Sequence, residues 1–142
     1  MPQHLKTYTS LWAMQPHDQT GVKLPYDQVC EMVANAGYDG MAIDLGAGDV
    51  AQAHEVRPHM ERHGLTPLIV AFPKTVEGLR ETLVMAKDFG SPFVDVIGQV
   101  MPLSVDGMIP VIRQWMDMAD LIGVPVQFES HRNCITNDLY ST

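Results

Sequence analysis

The chain has 142 residues, a formal net charge of −8, and a hydrophobic content of 46%. This length fits one domain large enough to bury a core, and the composition is that of an ordinary globular protein. The negative charge argues against a nucleic-acid-binding surface, and no apolar run approaches the roughly 20 residues that span a bilayer. We therefore expect a single domain over residues 1–142, with no nucleic-acid partner and no membrane.

The N-terminal segment and the two cysteines predict a cytoplasmic protein. Residues 1–7 lack the apolar region of a secretion signal. Cys30 and Cys134 are too few for a disulfide framework, so we expect reduced thiols.

Four glycines divide the chain into repeating units of roughly 26 to 33 residues, each glycine following a helical pattern. A glycine just past a helix end adopts the left-handed conformation that closes the last turn. Each is followed within a few residues by an apolar run, which is typical of a buried strand. The pattern predicts a βα repeat. The four glycines are Gly37, Gly64, Gly90 and Gly123.

In chain order, we predict strands at residues 5–14, 40–45, 65–72 and 93–100, and a fifth from residue 124. Pro25 opens the first helix at a position that tolerates proline, and Asp49 and Thr75 are candidate N-caps of the second and third. The fourth helix is predicted from about Asp106 to Ile122.

The second predicted helix carries three histidines, His54, His59 and His63. Two of them are four residues apart, which is the spacing of a metal-binding pair. However, Pro58 interrupts the pattern, and the glutamate of the zinc-protease motif is missing. We therefore expect this segment to form a solvated outer face.

Alternating strands and helices indicate a parallel sheet with right-handed crossovers. A flavodoxin-like doubly wound sheet needs a fifth helix, for which the residues after Arg132 are too few, and its glycine-rich phosphate loop is not found in the first turn. A (β/α)8 TIM barrel instead places functional residues at the C-terminal ends of its strands, where this sequence has Asp44, Gln99 and Glu129.

A complete TIM barrel needs about 250 residues. We therefore predict a partial barrel, comprising the N-terminal five strands and four helices and incomplete at the C-terminus. Such a sheet leaves its first and fifth strands unpaired, and we expect homo-oligomers to form through these edges.

The fifth strand carries the most informative polar residues. Its alternation places Gln127 and Glu129 on one face and the apolar residues on the other, with His131 and Arg132 directly after. Two interpretations remain open from this pattern. Glu129 either enters a pocket beside a cation or metal, or forms an ion pair with Arg132 at the strand end.

Residues 128–139, which read FESHRNCITNDL, resemble the fifth-strand signature of the sugar phosphate isomerase/epimerase family, the xylose isomerase-like TIM barrels. Residues 37–45, which read GYDGMAIDL, are similar to the second-strand segment of the same family. The resemblance implies a metal-dependent isomerase or epimerase. Its substrate would be a sugar, a sugar phosphate or a related hydroxy-carbonyl compound, converted through an enediolate-like proton transfer.

The resemblance also implies residue roles. Glu129 would be the catalytic residue and a ligand of a divalent ion (Mn, Mg, Co or Zn), with the remaining ligands beyond Thr142. A small carbohydrate would be the partner. The predicted substrate-binding residues are His131, Arg132, Trp12, Asp44 and Gln99.

Simpler roles exist for several of these residues. Asp44 can cap its strand end, Gln99 can bond to a neighbouring strand, and Trp12 can belong to the core. Two other functions also remain open. One is a non-catalytic sugar-binding or assembly protein on the same barrel. The less favoured is an endonuclease IV-like phosphodiesterase, which needs histidines where the second and third strands end in Asp44-Leu45 and Phe72-Pro73.

Overall fold

The computed structural model describes residues 5–14, 23–46, 48–100 and 104–136. Five strands alternate with four α-helices, and a short 3-10 helix precedes α3. The strands are parallel, and their order in the sheet follows the sequence, from β1 to β5. The elements are β1 (Tyr8–Ser10), α1 (Tyr26–Asn35), β2 (Gly40–Asp44), α2 (Val50–Arg62), β3 (Thr66–Ala71), the 3-10 helix (Glu77–Leu79), α3 (Arg80–Phe89), β4 (Val94–Val96), α4 (Val105–Ile122) and β5 (Val126–Phe128).

The chain divides into two compact units, Met1–Leu68 and Ile69–Thr142. In the first unit β1 and β2 pair in parallel, with Thr9 opposite Met41. Met41 and Ile43 are fully buried, whereas Ala42 and Asp44 on the other face of β2 are half-buried. This alternation is typical of a strand with one face in the core.

The helices of the first unit bury narrow apolar stripes. The stripe of α1 consists of Val29, Cys30 and Val33, and that of α2 of Ala53, Val56 and Met60. α2 is continuous through Pro58, which the sequence pattern treats as an interruption. Proline removes one backbone donor from a helix, and here the buried stripe outweighs that loss.

Two of the three histidines of α2 do not lie on a solvated outer face, which corrects part of the prediction for this helix, whereas His54 is exposed. His59 Nδ1 and His63 Nε2 each lie 3.2 Å from Asp27 Oδ1 on α1, and Arg62 contacts the same oxygen. These contacts, with the hydrogen bond from His59 first, hold the pKa of Asp27 below its ordinary value. His59, Arg62 and His63 therefore join α2 to α1 through one carboxylate.

In the second unit the core lies on one face of β4 and β5. Val94 and Val96 are fully buried, and the ring of Phe128 stacks on that of Trp115 from α4, at a centroid distance of 6.1 Å. The indole N–H of Trp115 donates to the Val76 carbonyl at 3.0 Å, so this buried side chain joins α4 to the segment before α3.

The predicted helix-ending glycines and the cap of α2 are confirmed, whereas the predicted cap of α3 is wrong. Asp49 accepts a hydrogen bond from the Gln52 amide at 2.7 Å as the N-cap of α2. Thr75 accepts a hydrogen bond from the Gly78 amide at 3.0 Å, but it lies before the 3-10 helix, and the N-cap of α3 is Leu79. Helix α4 has Ser104 as its N-cap. The four predicted helix-ending glycines all have positive φ, between 69° and 85°.

The strands are shorter than the sequence predicts. β1 gives way to a turn in which the Met14 amide donates to the Leu11 carbonyl at 3.1 Å. Beyond β4 the backbone still bonds to its neighbour, since the Ile97 amide donates to Ala71 and the Gln99 amide to Pro73, each at 2.9 Å. Backbone pairing thus continues past the regular strand. Among the described residues, no helix is long and apolar enough to cross a bilayer.

Candidate active site

A polar face lies opposite the core of the second unit. Asp95 on β4 is in register with Gln127 on β5, and Glu129 follows two residues later on the same face. Their neighbours Val96 and Phe128 point to the helix-covered side, as the stacking on Trp115 shows. The carboxyl ends of β4 and β5 therefore present polar side chains on the face that α4 leaves free.

Asp95 and Glu129 form a carboxyl pair on this face. The pKa of Asp95 rises to about 6, first because the side chain is partly buried, then because Glu129 hydrogen-bonds to it and adds a second negative charge. Asp95 is half-buried and Glu129 is exposed. Because burial and the neighbouring carboxyl group disfavour its charged form, Asp95 keeps its proton to a higher pH than an ordinary carboxyl group does.

The loop after β5 is held in place by short-range hydrogen bonds. The Ser130 hydroxyl donates to the Thr136 carbonyl at 2.6 Å, and the Thr136 hydroxyl donates to the Glu129 carbonyl at 3.0 Å. The Ile135 amide donates to Gly98 beyond β4 at 2.8 Å. These bonds fix the backbone of Glu129 and join the ends of β4 and β5.

The same loop orients His131. Its amide donates to the Cys134 sulfur at 3.2 Å, the Cys134 thiol donates to the His131 carbonyl, and the imidazole lies edge-on to Phe72 at 6.2 Å. His131 Nδ1 is 2.7 Å from the Arg132 carbonyl, which can only accept. Nδ1 therefore carries the proton, and in the neutral ring Nε2 has a free lone pair.

Arg132 is exposed, and the described residues show no ion pair between it and Glu129. The simpler interpretation of the fifth strand, an ion pair at the strand end, is therefore not found. Arg132 keeps its guanidinium available to an anion in solution.

The remaining predicted site residues have structural contacts. Gln99 is half-buried beyond β4. Asp44 accepts a hydrogen bond from the Gly46 amide at 2.7 Å, as a strand-end cap does, and Trp12 is 52% exposed instead of buried in the core. Asp44 and Trp12 belong to the first unit and Gln99 to the second. Their roles in substrate binding stay predictions.

Asp95 is the site residue that sequence reasoning missed. The signal was present, because Asp95 stands between Val94 and Val96 in a strand that is otherwise apolar, where an unpaired carboxylate is costly. What the sequence did not reveal was its partner, since Glu129 is brought close only by the pairing of β4 with β5.

The described residues contain no group of three or more His, Cys, Asp or Glu side chains placed to hold a metal ion. The Asp95–Glu129 pair supplies two carboxyl groups, whereas a hard divalent ion takes about six ligands. This donor set does not fit the ion by itself. The role of Glu129 as a metal ligand and the divalent cofactor stay predictions.

No protein-family model matches the sequence, and no curated protein matches it. Solved structures do. DHDPS from Cyanidioschyzon merolae aligns with a TM-score of 0.62 and 15% identity, over 91% of this chain and 46% of its own. N-acetylneuramininate lyase (sialic acid aldolase) from Aliivibrio salmonicida aligns with a TM-score of 0.60 and 14% identity, over 89% of this chain and 45% of its own.

A third similar structure is 3-dehydroquinate dehydratase from Geobacillus kaustophilus HTA426, with a TM-score of 0.57 and 16% identity, over 87% of this chain and 49% of its own. The chain has the fold of a partial TIM barrel. It spans about half the length of these structures. At such low identity the similarity establishes the fold and confirms the predicted fold class.

The comparisons overturn the predicted family and activity. The similar structures are a dehydratase, DHDPS and a lyase, not xylose isomerase-like isomerases or epimerases. The prediction of a metal-binding sugar isomerase is therefore wrong, and the alternatives of a non-catalytic sugar-binding protein and an endonuclease IV-like enzyme gain no support. The family prediction depended on one short segment. A carboxylate followed by His and Arg at a strand end is compatible with many reactions on a TIM barrel and does not identify the family.

Proposed function

We propose that this chain contributes to the active site of a TIM-barrel lyase or dehydratase that acts on a small hydroxy-carbonyl compound by proton transfer. The carboxyl pair of Asp95 and Glu129 carries the proposal. Two carboxyl groups whose environments separate their protonation states are suited to act as acid and base. The similar structures support the reaction class, since two of them are a dehydratase and a lyase.

The proposed chemistry assigns one step to each carboxyl group. The Glu129 carboxylate removes a proton from the carbon beside the substrate carbonyl, and the electron pair of that C–H bond forms a carbon–carbon double bond. The C–O bond on the second carbon of this double bond, which lies beta to the carbonyl, breaks. Its oxygen takes the Asp95 proton and leaves as water. Glu129 is then protonated and Asp95 ionised, and proton transfer along their hydrogen bond restores the starting state.

The loop after β5 would bind the substrate. Arg132 suits a carboxylate or phosphate, and the free lone pair on His131 Nε2 accepts a hydrogen bond from a hydroxyl group. Both groups favour a small, polar, carbohydrate-derived substrate.

As part of this proposal we place the protein in the cytoplasm. Cys30 and Cys134 are both free and buried. Two unpaired thiols in a chain of this size fit a reducing compartment.

The test follows both steps on glyceraldehyde, a small hydroxy-carbonyl compound with a hydroxyl group beta to its carbonyl, in D2O. We expect NMR to show exchange of its C2 proton and release of methylglyoxal, which forms when the enol product of water loss tautomerises, both faster than in buffer. Glu129→Gln should slow exchange at least about a hundredfold, the usual scale of general-base catalysis. Asp95→Asn should retain exchange but lose methylglyoxal release. Above about pH 6, release should fall as Asp95 loses its proton.

Asp120→Asn is the matched control, because this exposed carboxylate lies on α4, outside the pair. It should behave as wild type in both assays. Exchange no faster than in buffer, or an unchanged rate in Glu129→Gln, would refute the proposal.

A further inference from the structure

The first unit contains a cavity of about 470 Å³, separate from the carboxyl pair of the second unit. It is lined by the turn after β1, the start of α1 and one face of α2. This volume lies within the range of about 300–1,000 Å³ typical of small-molecule sites. Its apolar lining includes Leu11 and Val29, each 3% exposed, together with Met14 and Leu24.

Two opposite charges line the same cavity. Lys23 precedes α1, and Glu55 lies on α2. Both residues are exposed, and within the described ranges of the chain neither side chain has a hydrogen-bond or ion-pair partner, whereas Asp27 and Arg62 of the same unit pair with each other. A cation and an anion, both unpaired and both lining one apolar cavity, suit a ligand that carries both signs.

The aromatic part of the lining is held in place. The Tyr26 hydroxyl accepts a hydrogen bond from Gln52 Nε2 at 3.1 Å, and His59 is held by its contact with Asp27. The rings of Tyr26 and His59 lie 6.4 Å apart and are inclined at 47°. Rings fixed by such bonds form a preorganised wall for another ring, since aromatic groups favour tilted and offset contacts.

We propose that this cavity binds a small zwitterion with an aromatic body, of the class of aromatic amino acids. Lys23 pairs with its carboxylate and Glu55 with its ammonium group, while the ring rests on the apolar lining beside Tyr26. A ligand with one charge gains only one of the two ion pairs and therefore binds more weakly than the zwitterion. The inference does not depend on the proposed lyase or dehydratase activity.

Three probes with the same ring separate the two charges. They are L-phenylalanine, 3-phenylpropanoate, which lacks the amine, and 2-phenylethylamine, which lacks the carboxylate. In isothermal titration calorimetry we expect L-phenylalanine to bind at least about tenfold more tightly than either of the others, because it alone satisfies both charges. Equal affinities for the three probes, or no binding of L-phenylalanine, would overturn the proposal.

Two variants assign the charges to residues. Glu55→Gln should weaken L-phenylalanine binding about tenfold and leave 3-phenylpropanoate unchanged, whereas Lys23→Gln should weaken L-phenylalanine and leave 2-phenylethylamine unchanged. The exposed side chains Lys6 and Glu31 lie outside the lining and supply the controls Lys6→Gln and Glu31→Gln, which should bind all three probes as wild type does. Equal weakening in the controls would show only a general charge effect and would contradict the site.

Discussion

At the scale of single residues, two carboxyl groups differ in what surrounds them. Asp95 is half-buried next to a second carboxyl group, which raises its pKa to about 6. Asp27 is surrounded by two histidines and an arginine, which lower its pKa. The first arrangement opposes ionisation and suits a group that donates a proton in catalysis. The second favours ionisation and stabilises the contact of α1 with α2.

Asp95 should make the folded chain less stable as pH rises. Its pKa is raised in the folded state, so its protonated form is favoured there, and stability is lost between about pH 4 and pH 6. Asp95→Asn removes this loss. We expect its free energy of unfolding relative to wild type to rise by about 1 kcal/mol from pH 4 to pH 7, allowing for screening by water at a half-buried group.

Urea unfolding at the two pH values measures this change. Asp120→Asn, on an exposed face of α4, should show no such pH dependence relative to wild type. A constant difference between Asp95→Asn and wild type would contradict the raised pKa.

Asp27 should act in the opposite direction. Because its pKa is lowered in the folded state, its contribution to stability is present above the ordinary carboxyl pKa near 4 and is lost as pH falls through the lowered value. Asp27→Asn should therefore be less stable than wild type at pH 6, and the difference should shrink towards pH 3. Urea unfolding at both pH values tests this, with Glu31→Gln on the exposed face of α1 as the control.

At the scale of elements, α4 packs closely against the segment just past β4. Gly98, just past β4, lies so close to α4 that an added Cβ would be 2.8 Å from Cζ3 of Trp115. Trp115 is fully buried, stacks on Phe128 and donates to Val76. The absence of a side chain at Gly98 therefore lets the tryptophan ring pack directly against the strand end.

Gly98→Ala should destabilise the chain by about 1–3 kcal/mol through overpacking. In a Trp115→Leu background the same change should cost less, because the shorter side chain leaves room for the added methyl group. The measurement is a double-mutant cycle by urea unfolding, followed by circular dichroism. Gly37→Ala is the control. Its Cβ would meet nothing within 4 Å, so its cost comes from backbone strain and should not change with Trp115→Leu.

At the scale of the whole molecule, the free edge of the sheet is the main feature. β5 is a terminal strand of the sheet within the described residues. The Pro125 carbonyl and the Glu129 amide bond to β4, at 2.9 and 3.1 Å. By alternation the Val126 and Phe128 amides point away from β4 and are available to another strand. This geometry supports our proposal that the chain forms homo-oligomers through its sheet edges.

Val126→Pro tests association through this edge. Proline removes the outward amide of residue 126 and leaves the bonds of residues 125 and 129 to β4 intact. We expect the average mass in sedimentation velocity to increase with concentration for wild type and much less for the variant. Leu121→Ser, at an 80% exposed apolar position on α4, is the control and should associate as wild type does. Equal association of all three proteins would show that β5 is not the contact.

The sequence by itself determined the repeating βα order, the helix cap at Asp49, and all four glycines that end helices. These features are local, because a cap or a helix-ending glycine acts within a few residues of itself. The alternation of β2 was equally readable. The same locality explains the error in function, since the short segment around Glu129 was taken for a family signature.

Only the tertiary structure decided which distant groups meet. The carboxyl pair of Asp95 and Glu129 depends on the register between β4 and β5, and the contacts of Asp27 with His59 and His63 depend on how α1 packs against α2. The lengths of the strands also depend on tertiary structure, because a strand in a parallel sheet ends where its neighbour no longer pairs with it. Such pairings join residues far apart in the chain, and neither periodicity nor composition encodes the partner of a given side chain.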